Sequence, residues 1–241
     1  MFIPSEAYNM IRSTKYSTNV TMAIICLVFV SSCAKNDFLK KYSAVPFADS
    51  SYEQAPQTIP GKIQCEYYDL GPEGIAYHDS DNINSGSGNL NPADGTYLNE
   101  FRINEAVDIS YTKDGRVDDN EYNLVQPRMK QLYIGWTEPG EWLNYTVNVQ
   151  HTGRYLVGLT YTANGDGQIS ISVDNLDVTG PLSVPSTYHA EDNQAWRQWH
   201  HWNYLNNIAR IELKKGIHVL TLHTVSHGNM NYDFLEFRSA N

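Results

Sequence analysis

The alternating run Leu143-Asn144-Tyr145-Thr146-Val147-Asn148-Val149 constrains this chain more than any other feature. Leu143, Tyr145, Val147 and Val149 fall on one side of an extended backbone, and Asn144, Thr146 and Asn148 on the other. That period of two marks an antiparallel strand with one buried face. Glu138-Pro139-Gly140 is the turn that feeds it. The pattern recurs downstream. Tyr155, Val157, Leu159 and Tyr161 alternate with smaller residues, Ile169, Ile171 and Val173 alternate with polar ones, and Ile217–His223 and Phe234–Phe237 form further strand-like runs. Turn signals such as Asn164-Gly165-Asp166-Gly167 and Lys214-Lys215-Gly216 separate these runs at the spacing of an all-β sandwich. No long amphipathic helix competes, and no internal repeat points to a propeller or solenoid. Two irregular stretches, 71–130 and 179–207, are too long for hairpin loops; loops of that length in a compact domain are usually functional.

A formal net charge of −10 argues against nucleic acid or an anionic membrane surface as partner, because both require clustered Lys and Arg. Seventeen Tyr and five Trp set against 18% charged residues fit a protein that offers aromatic faces to a weakly polar ligand.

The N-terminus reads as a targeting segment. Arg12 and Lys15 precede the apolar run Met22–Val30, too short to span a bilayer comfortably but suited to the core of a signal peptide. Val30-Ser31-Ser32-Cys33 resembles a bacterial lipobox, which implies cleavage after residue 32 and acylation of Cys33. Contact with the membrane would then be through the lipid anchor only. Asn36-Asp37 resembles signals that route lipoproteins to the cell surface in some Gram-negative groups, so the expected location is the outer membrane, at the cell surface or on the periplasmic face. Residues 33–59 carry Pro46, Pro56 and several Ser without periodicity and read as a flexible tether, with the folded domain over 60–241. Of the three Cys, only Cys65 would remain free after processing, which excludes an intrachain disulfide; its setting reads as a buried strand.

Trp136 and Trp142 flank the Glu138-Pro139-Gly140 turn, and a large ring on a loop either plugs the end of a core or faces a ligand. Several short motifs then occur in a telling order. They are Ile63-Gln64-Cys65-Glu66-Tyr67-Tyr68, Gly135-Trp136 ahead of Pro139-Gly140-Glu141-Trp142-Leu143-Asn144-Tyr145, Gly153-Arg154-Tyr155, Leu213-Lys214-Lys215-Gly216-Ile217, and Asn231-Tyr232-Asp233-Phe234-Leu235-Glu236-Phe237. Together they make residues 60–238 resemble carbohydrate-binding module family 6. That resemblance implies a jelly-roll β-sandwich of two antiparallel sheets with no catalytic activity.

It also implies a sugar site in the loops at one end of the sandwich, where two aromatic rings hold a terminal sugar. Trp136 matches the first aromatic position. One face of a pyranose presents C–H groups that pack on a π face while its hydroxyls stay free at the rim. The second ring should come from Trp196-Arg197-Gln198-Trp199-His200-His201-Trp202, where three Trp stand in place of the usual two. Trp196 or Trp199 is expected to stack on sugar, and Trp202 to be structural, as is Trp142. Asn231 matches the family's sugar-binding Asn, whose amide can serve a vicinal diol; a turn role is the alternative. Asp79 is a further candidate acceptor. Gln64, Glu66 and Asp233 match positions that help to hold a structural Ca²⁺ in the family.

The expected function is non-catalytic capture of polysaccharide or oligosaccharide by a membrane-anchored lipoprotein, alongside glycan-degrading enzymes or transporters. Two alternatives stay open on the sequence: a small glycoside hydrolase or lyase using the same cleft, and an adhesive sandwich that binds protein partners. The first requires a positioned pair of carboxylates, and only Glu138 and Glu141 lie close in sequence. Neither His200-His201 nor His218 with His223 has metal-enzyme spacing.

Overall fold

The computed structural model describes residues 37–51 and 55–240. The expected signal peptide and Cys33 lie outside the described residues. Two sheets face each other. The first has the order β1 (Gln57–Ile59), β8 (Trp142–Val149), β14 (Gly216–Ser226), β10 (Gly167–Val173) and β11 (Leu176–Asp177), with β3 (Tyr77–His78) beside β8 and β12 (Leu182–Val184) beside β10. The second runs β13 (Asn203–Leu213), β9 (Gly153–Ala163), β15 (Met230–Ser239), β7 (Leu132–Ile134) and β6 (Ile109–Tyr111), with β2 (Gly61–Gln64) on β15. A short ribbon joins β4 (Ser87–Gly88) to β5 (Asn91–Pro92). Pairing within the two main sheets is antiparallel except between β1 and β8. This is the expected all-β jelly-roll sandwich.

The alternation read from sequence is what fills the space between the sheets. Leu143, Tyr145, Val147 and Val149 of β8 are buried, as are Tyr155, Val157, Leu159 and Tyr161 of β9 and Ile169 and Ile171 of β10. The register pairs Tyr145 with Leu220 and Leu143 with Leu222, so a row on one strand continues as a row on the next. Cys65 is buried, but in the short 3₁₀ turn Cys65–Tyr67 that follows β2 rather than in a strand.

The reading of 33–59 as a flexible tether is corrected over the described part. Tyr42 donates to Asp69 Oδ2 at 2.6 Å, Val45 and Leu70 exchange backbone hydrogen bonds, and Phe47 stacks on Tyr67 with centroids 5.1 Å apart. Ala44 and Phe47 belong to the core, and Gln57–Ile59 is a strand of the first sheet. Sequence reading missed this because an isolated Phe47 and a three-residue strand carry no period; tertiary contact alone gives them a place.

The two long irregular stretches are pinned rather than open. Arg102 lies over the Tyr68 ring at 3.3 Å, donates to Asp69 O and pairs with Glu105. Asp192 is buried between Arg197 at 2.6 Å and His201 at 2.9 Å. The second stretch is also shorter than expected, because its last residues form the start of β13.

Candidate functional site

Trp136 follows β7 on the loop that leads to β8, half-buried, with φ at +46°. A left-handed backbone at a bulky residue costs of order 1–3 kcal/mol, so the surroundings must hold it. Asn231, at the start of β15, does so: its Oδ1 accepts the Trp136 backbone N–H at 3.0 Å. The neighbouring Thr137 donates backbone N–H and hydroxyl to Met230 O.

Asn231 is only 1% exposed. Its Nδ2 donates to Thr162 Oγ1 at 2.8 Å and to His200 Nδ1 at 2.9 Å. The amide expected to meet a sugar diol thus has every strong site engaged inside the protein, and here it joins the Trp136 loop to the Trp-rich segment. His200 in turn reaches Asp118 Oδ1 at 2.7 Å, which also accepts the Trp202 indole N–H at 2.8 Å. Burial pushes the Asp118 carboxyl up, but the bonds from His200, the Lys113 backbone and Trp202 outweigh it and hold the group below the usual range.

The three Trp of the 196–202 segment have three environments. Trp196, in the 3₁₀ turn Ala195–Arg197, is 57% exposed. Trp199 is half-buried, meets the His200 ring edge-on at 5.7 Å, and its carbonyl accepts from Thr187 Oγ1. Trp202 is fully buried against Tyr133 and His200. Trp136 and Trp199 are therefore brought to one end of the sandwich, linked through Asn231 and His200, while Trp202 is in the interior.

Asp79 lines a cavity of about 10 Å³ together with Gly135, Thr137, Asp108 and Glu141. That is room for about one water. Burial and then the nearby Glu141 push Asp79 up to about 6, and burial together with Asp79, Asp81 and Glu141 pushes Asp108 up to about 7. Asp79 thus adjoins the residues on either side of Trp136, in a space too small for a sugar ring.

Gln64, Glu66 and Asp233 meet where β2 pairs with β15. Glu66 is 0% and Asp233 4% exposed. Gln64 Oε1, Glu66 Oε2 and Asp233 Oδ1 are buried without a hydrogen-bond partner, and Gln131 Nε2 satisfies the other oxygen of Glu66. Burial, then the charge of Asp233, pushes Glu66 well up; burial pushes Asp233 up to about 7. Three orphaned oxygens, two of them from carboxylates, form a donor set for a hard cation. These residues fit such an ion. Among the described residues there is no group of three or more His, Cys, Asp or Glu suited to a metal, so the amide oxygen of Gln64 is needed to complete the set.

A second concavity of about 380 Å³ lies on the outer face of the first sheet, where sequence reading named no site. Trp142, Asn144, Thr221 and His223 line it with Phe38 and Tyr42. Trp142, expected to be structural, is half-buried on the outward row of β8, 6.3 Å from the His78 ring. The polar side of the alternating run was the signal for this face, but its cross-strand partners on β14 emerge only from register.

The jelly-roll, with aromatic rings gathered at one end, defines a sandwich of the ligand-binding kind. Residues 107–239 match the model of carbohydrate binding module (family 6). That is more than half of the chain, and the protein belongs to this family. No curated protein matches it. Solved structures similar to it include a family 6 module from Clostridium stercorarium in complex with cellobiose, at 14% identity over 77% of this chain and 98% of that one, TM-score 0.47. A β-1,3-glucan-binding module from Bacillus halodurans is 15% identical over 76% and 98%, TM-score 0.43. The C-terminal module of a Zobellia galactanivorans laminarinase is 16% identical over 74% and 98%, TM-score 0.43.

Proposed function

We propose that the protein binds polysaccharide or oligosaccharide, without cleaving it, at the end of the sandwich that carries Trp136 and the 196–199 turn. The observation that carries this reading is the joining of Trp136 to the Trp199 segment through Asn231, in a chain of a carbohydrate-binding family. Trp136 stacks on the apolar face of a sugar ring, and Trp199 or the more exposed Trp196 supplies the opposing surface. Polar groups at the rim meet the hydroxyls. Asp79, Asp108 and Glu141, the carboxylates of the cavity beside Gly135 and Thr137, share space for about one water, which favours binding over hydrolysis.

Gln64, Glu66 and Asp233 hold a structural Ca²⁺ that fastens the first strand of the second sheet to the last. An acyl chain on Cys33 anchors the protein in the outer membrane, at the cell surface or on the periplasmic face. There it captures glycan for degradation or import alongside glycan-degrading enzymes or transporters.

The test is Trp136→Ala, titrated calorimetrically against the best binder from a panel of soluble glycans. Loss of one stacking ring weakens binding by about 1–3 kcal/mol, by analogy with aromatic stacking on other ring ligands. Unchanged affinity would remove Trp136 from the site. Release of reducing ends from the panel would replace the binding reading with a hydrolase.

A further inference from the structure

The bonds behind Trp136 are fixed by donor and acceptor chemistry, one after another. A backbone N–H can only donate, so the Trp136 N–H requires the oxygen of the Asn231 amide at its end. The amide nitrogen is then turned toward Thr162 Oγ1 and His200 Nδ1. Because that nitrogen donates, His200 Nδ1 must carry a lone pair, and the ring proton sits on Nε2, aimed at Asp118 Oδ1. An indole N–H can also only donate, so the Trp202 bond keeps Asp118 an acceptor. Every orientation between Asp118 and Trp136 has one solution.

We propose that Asp118 and His200 are positioning residues for Trp136: they fix the amide of Asn231, and the amide fixes the left-handed turn that aims the ring. This rests on the reading of Trp136 as a sugar-stacking residue. The family resemblance gives Asn231 the sugar contact and assigns nothing to Asp118 or His200. Their juxtaposition joins residues 82 positions apart, on two loops that carry no period.

The experiment uses His200→Leu and His200→Gln in the folded protein with two readouts: the amide and indole resonances of Trp136 by ¹⁵N NMR, and affinity for cellotriose, xylotriose and laminaritriose. Leu removes both bonds. The Trp136 amide should shift, with the Trp142 indole as control, and affinity should fall about tenfold, as expected for one buried polar group left unpaired. A Gln amide can accept at one end and donate at the other. It should restore most of both readouts, because each end of the amide keeps the role of the ring nitrogen it replaces.

An unmoved Trp136 amide in H200L, or a folded H200Q protein with a displaced Trp136 amide and an affinity loss of about tenfold, overturns the proposal. The second comparison needs only the conservative variant and so survives any folding defect of H200L. Trp136 resonances that respond as described, in a protein that binds none of the three sugars, support the positioning pair and refute the sugar reading.

Discussion

Stripping a divalent cation from the site formed by Gln64, Glu66 and Asp233 is expected to lower the melting temperature by roughly 10 °C at neutral pH. Without a cation, burial raises Asp233 from an ordinary 3.8 to about 7, which at 1.36 kcal/mol per tenfold change in proton affinity is about 4 kcal/mol. A calcium concentration about a thousandfold above Kd stabilises a folded state by about 4 kcal/mol, which offsets a cost of that size. For a domain of 150–250 residues each kcal/mol moves Tm by about 2–4 °C, hence roughly 8–16 °C.

The direction with pH follows from the same numbers. A carboxyl whose folded value is raised contributes stability that is fully present below its ordinary 3.8 and is lost as pH rises through about 7. The metal-free protein should therefore lose stability across that window, while bound calcium, which requires ionised carboxylates, restores it. The assay is calorimetric melting of metal-stripped protein with and without about 1 mM calcium chloride, at pH about 8 and about 4.5. The two curves should separate at the higher pH and converge at the lower. Coincident curves at pH about 8, or a separation independent of pH, would refute the assignment.

Two further outcomes test the packing around the site. Phe47→Ala, at a side chain 6% exposed and stacked on Tyr67, should cost about 3 kcal/mol in urea unfolding, whereas a truly flexible tether would show no change. Gly86→Ala would place its Cβ 2.0 Å from the Ile109 carbonyl oxygen, a backbone atom that cannot yield without moving β6; a loss of about 2 kcal/mol or more is expected from thermal melting, together with disturbance of the 85–110 region.

Much of the fold was legible in the chain because strands with one buried face have a period that sequence records directly. The β8 alternation named its own buried row, and Trp202 was correctly separated from its neighbours as structural. The proposed cation set came only from resemblance, since Gln64, Glu66 and Asp233 lie in remote segments and have no metal-site spacing of their own. What the structure adds there is the three orphaned oxygens.

The sequence by itself determined a two-sheet β-sandwich, a family, and the aromatic residues available to meet a ligand, because side-chain type and period are local properties. Only the tertiary structure decided that residues 37–51 pack against the sandwich, that Trp142 shares a concavity with Phe38, Tyr42 and His223, and that Asn231 works inward. Those outcomes depend on which groups meet across loops far apart in the chain. The partner of a hydrogen-bonding side chain is set by what folding brings within 3 Å of it, and no periodicity encodes that.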